Sequence, residues 1–318
     1  MSEYLKIERI EFVVTNRCNS HCRHCLVDAA KRKAKPAAVS IELAIKAIKE
    51  ITGKYSPSSI MTFGGEPMLY PEAVYAIHQT AKDCGIGIRE IITNAGWRTS
   101  GENSRLIASK LSESGVTNMC ISVDAFHQEY IPFDVVKNNV RALIEAGITI
   151  EWNPCWVISR EHDNQWNTRT RSILGELKHL SVPESSGNIV QPAGNALQFL
   201  REFMPVMIPF PSGSCEDVPY SSRLDRVTCI SIEPDGNIPV CREFSIGNAG
   251  TQNIADTLES YNPHNIPEMK AILQGGIAGL EEYAAHKGIS TTPGGYYSIC
   301  DKCLDLRRQL RGIKPDPN

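Results

Sequence analysis

From residue 8 to about residue 191, the apolar positions alternate between two rhythms. Residues 8–15, Ser59–Phe63, Arg89–Thr93, Thr117–Val123, Ile148–Val157 and Asn188–Gln191 are β-branched or apolar runs and read as strands. Between them apolar residues return at helical spacing, as Ile41, Ala44, Ile45 and Ile48 do behind a capping Ser40. Further helices are predicted from Pro71 to about Cys84, Ser104 to Ser114, Asp134 to Ala146 and Gln165 to His179. Pro71 suits a first helical turn, while Gly85, Gly115 and Gly147 act as stops. About six such βα repeats imply an α/β fold, a parallel sheet with helices packed outside it. Functional residues of such folds gather at the C-terminal strand ends. Residues 18–25, Gly64-Gly65-Glu66-Pro67, Thr93-Asn94 and Ser122-Val123-Asp124 all fall there, so they are expected at one mouth.

After residue 200 the rhythm breaks, and residues 205–219 hold four prolines. Ile230 to Val240 reads as a β-hairpin turning at Asp235-Gly236. Its ends are Cys229 and Cys241, two thiols that a short turn brings within reach of one metal. Helices are expected near Ile254–Tyr261 and Glu268–His286, followed by a C-x2-C turn at Cys300–Cys303. The division is therefore residues 1–200 and a smaller part, 201–318.

Charge and composition narrow the partners. A net charge of -3 on 318 residues leaves no broad nucleic-acid surface. No apolar run is long enough to cross a bilayer, so no membrane partner is expected. The run from Lys31 to Lys35 reads as a solvated loop. The N-terminus lacks the layout of an export signal, so a cytoplasmic location is expected. There, 11 cysteines are kept reduced and point to metal or redox chemistry. Cys84 and Cys120 read as small buried hydrophobes.

Cys18, Cys22 and Cys25 form a C-x3-C-x2-C triad. Three thiolates at this spacing suit a four-iron cluster with one iron left open, since iron–sulfur sites normally take four thiolates. Zinc, with His21 or His24 as fourth ligand, is the competing reading.

The triad and Gly64-Gly65-Glu66-Pro67, in this order at strand ends, resemble the radical AdoMet (radical SAM) superfamily. The likeness runs through Thr93-Asn94 and Ser122-Val123-Asp124 to Gln191–Ala196, covering about residues 8–200. It implies a partial (β/α)6 TIM-type barrel. It also implies a [4Fe–4S] cluster on Cys18, Cys22 and Cys25, whose open iron binds S-adenosylmethionine and whose electron cleaves it to a 5′-deoxyadenosyl radical. Gly64, Gly65, Glu66 and Pro67 would then receive the methionine end, with the glycines admitting the ligand closely and Glu66 accepting from its ammonium. Ser122 and Asp124 resemble residues that contact ribose or carboxylate, with Asn94 and Gln191 in the same shell. Asn94 is alternatively the cap of the next helix. His24 replaces the aromatic residue many members carry before the third cysteine. His127, in a D-x-aromatic-H string also found in some peptide-modifying members, is a candidate for substrate contact or for loop hydrogen bonding.

The later cysteines resemble the twitch or shortened SPASM appendage. That implies one auxiliary [4Fe–4S] cluster on Cys229, Cys241, Cys300 and Cys303, against a four-cysteine zinc ribbon. Cys215 is either a substitute ligand or a free thiol that gives a hydrogen atom to a product radical. Peptide epimerases carry such a donor beside the second hairpin cysteine, where this chain has Arg242, which leaves Cys215 or Cys155 for the role. The resemblance implies an enzyme that abstracts hydrogen from a residue of a ribosomally made peptide or a protein, with a flavodoxin- or ferredoxin-type reductant. The alternatives are a small-molecule dehydrogenase and a zinc-binding interaction module.

Overall fold

The computed structural model describes residues 2–27, 32–97, 101–209, 211–218, 221–241 and 244–313. The first half alternates β1 (Leu5–Thr15), α1 (Ile41–Thr52), β2 (Ser59–Gly64), α2 (Pro71–Asp83), β3 (Ile88–Thr93), α3 (Gly101–Glu113), β4 (Asn118–Ile121) and α4 (Phe133–Glu145). There follow β5 (Thr149–Trp152), β6 (Cys155–Trp156), α5 (Gln165–Leu177), β7 (Asn188–Ile189) and α6 (Asn195–Phe199). The remainder carries β8 (Val227–Ile232), β9 (Asn237–Cys241), β10 (Phe244–Asn248), α7 (Ile254–Glu259), α8 (Pro267–Ala285) and α9 (Ile299–Leu310).

Local chemistry explains the helices. The Ser40 side chain accepts from Leu43 N, and Pro71 opens α2 where its missing N–H costs nothing. The strands β5-β4-β3-β2-β1-β8 form one parallel sheet in that order. Ile10, Phe12 and Val14 of β1 are fully buried in the helix-covered core, together with Ile48 and Ile51 of α1. Helices cover one side of the sheet and the arc leaves the other concave, which is the partial barrel.

Two expectations change. The run 148–157 is two strands, since Asn153-Pro154 interrupts it, and β6 pairs with β7 in a separate parallel pair. The hairpin at 230–240 keeps its turn, closed by Gly236 N to Glu233 O and Glu233 N to Asn237 O, both at 2.9 Å, but beyond the turn its strands take other ladder partners. Strand β8 lies parallel to β1, with Ile230 and Ile232 fully buried, whereas β9 pairs antiparallel with β10. The apolar face of β8 has a better place beside β1 than beside β9. The C-terminal part is further sewn to α1: Ile254 N donates to Glu50, and Lys54 Nζ lies 2.6 Å from Glu259.

The concave face is polar. Arg9 on β1 reaches over Met61 of β2 to Glu90 of β3 at 2.7 Å, and pairs with Glu11 at 3.2 Å. Cys120 is half-buried here rather than in the core, where burial and then Glu90 and Glu151 push its thiol to about 11. Among the described residues no helix is long and apolar enough to cross a membrane.

Candidate active site

The cysteine loop follows β1 directly. Cys22 is buried against Phe126, Cys155, Val190 and Leu200, while Cys18 and Cys25 are half-buried. Burial raises the Cys22 thiol pKa, and the charges of Asp124, Cys18 and Cys25 raise it further, so the three sulfurs share one electrostatic environment. The loop is fastened from three directions. Arg32 donates to Cys25 Sγ at 3.1 Å and to Ser20 O at 2.6 Å. Asn195 donates from its backbone to Cys25 O at 2.9 Å and from Nδ2 to Cys22 O at 3.0 Å. Asn94 Nδ2 bonds Asn19 at 2.8 Å.

Gly64 and Gly65 serve this loop. A Cβ on Gly64 would overlap the Thr15 carbonyl oxygen, and one on Gly65 the Arg17 carbonyl. The close approach that sequence reading assigns to a ligand is thus made by the chain itself. Gly65 N and Glu66 N donate to Thr15 O and Arg17 O at 2.6 and 2.8 Å, extending β1–β2 pairing past the strand ends. Glu66 is 2% exposed and caps the short turn at Pro67. Its carboxylate accepts from Met68 N at 3.0 Å, Thr93 Oγ1 at 2.7 Å and Asn94 N at 2.9 Å. Burial raises its pKa against those donors. A carboxylate has about four acceptor positions, so capacity for a further donor remains.

At the end of β4, Ser122 N donates to Thr93 O, which ties the two strand ends. Asp124 is fully buried and saturated: Oδ1 accepts from Phe126 N and His127 N at 2.9 Å, and Oδ2 from Cys155 N at 3.0 Å. Both oxygens also lie 2.9 Å from His127 Nδ1. The carboxylate of Asp124, expected at the cofactor, is occupied by donors of the chain itself, His127 among them. Burial alone would raise the Asp124 pKa, but His127 takes it down to about 2. Burial alone would lower that of His127, and Asp124 overturns this and raises it. The His127 Nε2 has no hydrogen-bond partner among the described residues. The His24 ring packs 4.8 Å from Phe126 and 5.0 Å from His127, with Nδ1 buried and unpartnered among the described residues. Burial lowers its pKa to about 4, so it is neutral at neutral pH. Gln191, beyond β7, donates to Ile189 O and to no other of the described residues.

A second thiol group gathers in the C-terminal part. Cys303 feels the charges of Cys241, Cys215 and Cys300, and Cys215 those of Cys241 and Cys300. Cys300 stands on the first turn of α9 and Cys303 at the start of the second, in a helix capped by Ser298, rather than in a free turn. Cys229 is absent from this group. It sits on β8 opposite Arg9, where burial and then Glu11 push its thiol to about 12, and no cysteine acts on it. Its place beside Arg9 and Glu11 on β8 sets it apart, while Cys215 shares the surroundings of Cys241 and Cys300. Arg242 lies outside the described residues. Cys155 is buried beside Cys22 at the mouth.

Arg32 and Asn195 were legible only as a solvated run and a segment after the last strand. Their hydrogen bonds to the loop required its path through space. Among the described residues, His24, Asp124 and His127 are the one trio of His, Cys, Asp or Glu whose ligand atoms lie within 4.8 Å of one another. The sulfurs of neither thiol group are drawn in as closely as about 2.3 Å Zn–S bonds to a single ion would require.

Residues 12–169 match the model of the radical SAM superfamily. The chain is 26% identical over 147 residues to the GTP 3',8-cyclase of Rhizobium etli, covering 44% of this chain and 41% of that protein. It is 28% identical over 152 residues to the AdoMet-dependent heme synthase of Oleidesulfovibrio alaskensis, covering 45% and 37%. The chain spans only about two fifths of the length of these curated relatives. The solved structure of anSMEcpe with bound AdoMet shares the fold, with a TM-score of 0.52 at 13% identity over 80% of each chain. The matched stretch contains the strand ends that carry the cysteine loop, Glu66, Asp124 and His127. The chain belongs to the radical SAM superfamily of enzymes, whose cofactors are a [4Fe–4S] cluster and AdoMet.

Proposed function

We propose that this enzyme cleaves AdoMet at the barrel mouth and abstracts a hydrogen atom from a polar small molecule held on the concave face. The observation that carries the reading is the convergence of Cys18, Cys22 and Cys25 with Glu66 and the Asp124–His127 pair at one end of a parallel sheet. The cluster and AdoMet, bound there, supply a 5′-deoxyadenosyl radical. The remaining acceptor position of Glu66 would take AdoMet's ammonium and Ser122 would meet its ribose, with His127 held nearby by Asp124. Asn94 acts by holding Asn19 and the loop rather than by capping a helix. A flavodoxin- or ferredoxin-type protein brings the electron.

A small molecule is favoured by the curated relatives, named for a GTP cyclase and a heme synthase, and by the polar lining of Arg9, Glu11, Glu90 and Ser231. The second reading, modification of a peptide or protein residue, draws on the C-terminal thiol group and its likeness to the appendage of peptide-modifying members. In both, residues 201–318 hold an auxiliary [4Fe–4S] cluster on Cys215, Cys241, Cys300 and Cys303. This leaves Cys215 engaged as a ligand rather than free as a hydrogen donor.

Anaerobic reconstitution with iron and sulfide, then incubation with AdoMet and dithionite, tests the reading by formation of 5′-deoxyadenosine. Adding metabolite extracts or short peptides, with mass spectrometry of products, separates the two substrate classes. A preparation that takes up zinc alone and leaves AdoMet intact would end both.

A further inference from the structure

We propose that the break in α8 at Gly275-Gly276 is a latch that presents Cys215 to Cys241, Cys300 and Cys303, which makes Gly276 a positioning residue of the C-terminal site. This rests on the reading of those four cysteines as cluster ligands.

Three of the four thiols stand on regular structure, Cys241 at the end of β9 and Cys300 and Cys303 on α9. Cys215 does not. It opens a short 3-10 turn, Cys215–Asp217, inside the proline-rich run 205–219. Among the described residues, two backbone attachments tie residues 205–218 to distant parts of the chain. One is the reciprocal pair between Ile208 and Tyr296, at 2.8 and 3.0 Å. The other lies two residues before Cys215, where Gly213 O accepts from Ile277 N at 3.0 Å.

The second attachment exists because α8 is broken there. Gly275 leaves the helical region, and Gly276 takes φ 60° and ψ −148°, a conformation essentially reserved for glycine. The first N–H groups of a restarted helix lack an intrahelical partner, and Gly213 O serves the one at Ile277. A Cβ on Gly276 would overlap that same Gly213 oxygen. Gly213 is itself enclosed: a Cβ there would lie 2.8 Å from both Asp217 Oδ2 and Ile299 Cδ1. Ile299 immediately precedes Cys300, and Asp217 accepts from Ser214 N at 2.6 Å across the turn that Cys215 opens. The latch therefore holds Cys215 between the break in α8 and the start of α9, within the surroundings of Cys241 and Cys300.

The test counts iron in the anaerobically reconstituted full chain and maps alkylation of Cys215 by iodoacetamide. Wild-type protein should take about eight irons as two four-iron clusters and protect Cys215. G276A should take about four, expose Cys215 to alkylation and keep 5′-deoxyadenosine formation, since the triad is untouched. G275A, whose Cβ meets open space, should keep the wild-type count. G276A/C215S should lose no more iron than C215S, because two changes acting through one ligand do not add. Where G276A fails to fold, I277P decides: it removes the donor at a first-turn position that proline suits, while I277V keeps it. I277P should then lose about four irons and I277V none. Full iron with Cys215 protected in G276A or I277P overturns the inference. So does a loss in G275A or I277V equal to that in its partner variant, or a larger loss in G276A/C215S than in C215S. A wild-type chain that takes only about four irons overturns the underlying ligand reading instead.

Discussion

Asp124 holds the His127 imidazole with both carboxylate oxygens at 2.9 Å from Nδ1, while three backbone amides fix the carboxylate itself. The ring's other nitrogen has no hydrogen-bond partner among the described residues.

That relationship has a pH signature in the apo chain. The Asp124 pKa is held at about 2, so its contribution is present above the unfolded carboxylate value and is lost as pH falls toward 2. The shift corresponds to roughly 2 kcal/mol. The His127 pKa is raised, so its share is present below about pH 6.5 and is lost as pH rises through the folded value. D124N should flatten both limbs and cost about 3 kcal/mol near neutrality. Urea midpoints across the pH range check this, and a variant with the wild-type profile would refute it.

The thiol assignments separate in an iron count. Wild-type protein should take about eight irons as two four-iron clusters. C22A should lose one cluster and all 5′-deoxyadenosine formation. C215S should lose the other while keeping AdoMet cleavage. C229S, on β8, should keep both clusters.

Arg32 grips the Cys25 sulfur and the loop backbone together. R32Q should weaken the loop by about 2 kcal/mol, the value of a hydrogen bond to a charged partner. The readout is faster iron loss to a chelator at unchanged global stability. Identical chelation rates would show the contact to be idle.

Gly65 tolerates no side chain, because the Arg17 carbonyl occupies the position of a Cβ. G65A should cost more than about 3 kcal/mol or prevent cluster assembly, since backbone, not a flexible side chain, must shift. G85A, at positive φ but in open space, should cost about 1 kcal/mol. Thermal unfolding of the two variants orders them.

The alternating barrel was legible because each strand and helix announces itself locally, through runs such as residues 8–15 and caps such as Ser40. The cysteine triad and Glu66 were legible for the same reason, being contiguous motifs. What failed was pairing between distant segments. Cys229 and Cys241 flank a real turn, yet β8 finds its partner in β1, more than two hundred residues earlier. No local pattern reports that choice. The shielding of Asp124 was equally hidden, because the Cys155 amide that saturates it comes from another strand.

The placement of β8 bears on any attempt to isolate the catalytic half. Ending the chain at residue 200 would strip β1 of a neighbour and turn it into an unprotected sheet edge. Its ladder groups, from Leu5 to Phe12, would then be open to pairing with other molecules. The excised barrel should aggregate, and the strand that launches the cysteine loop would be the one left frayed.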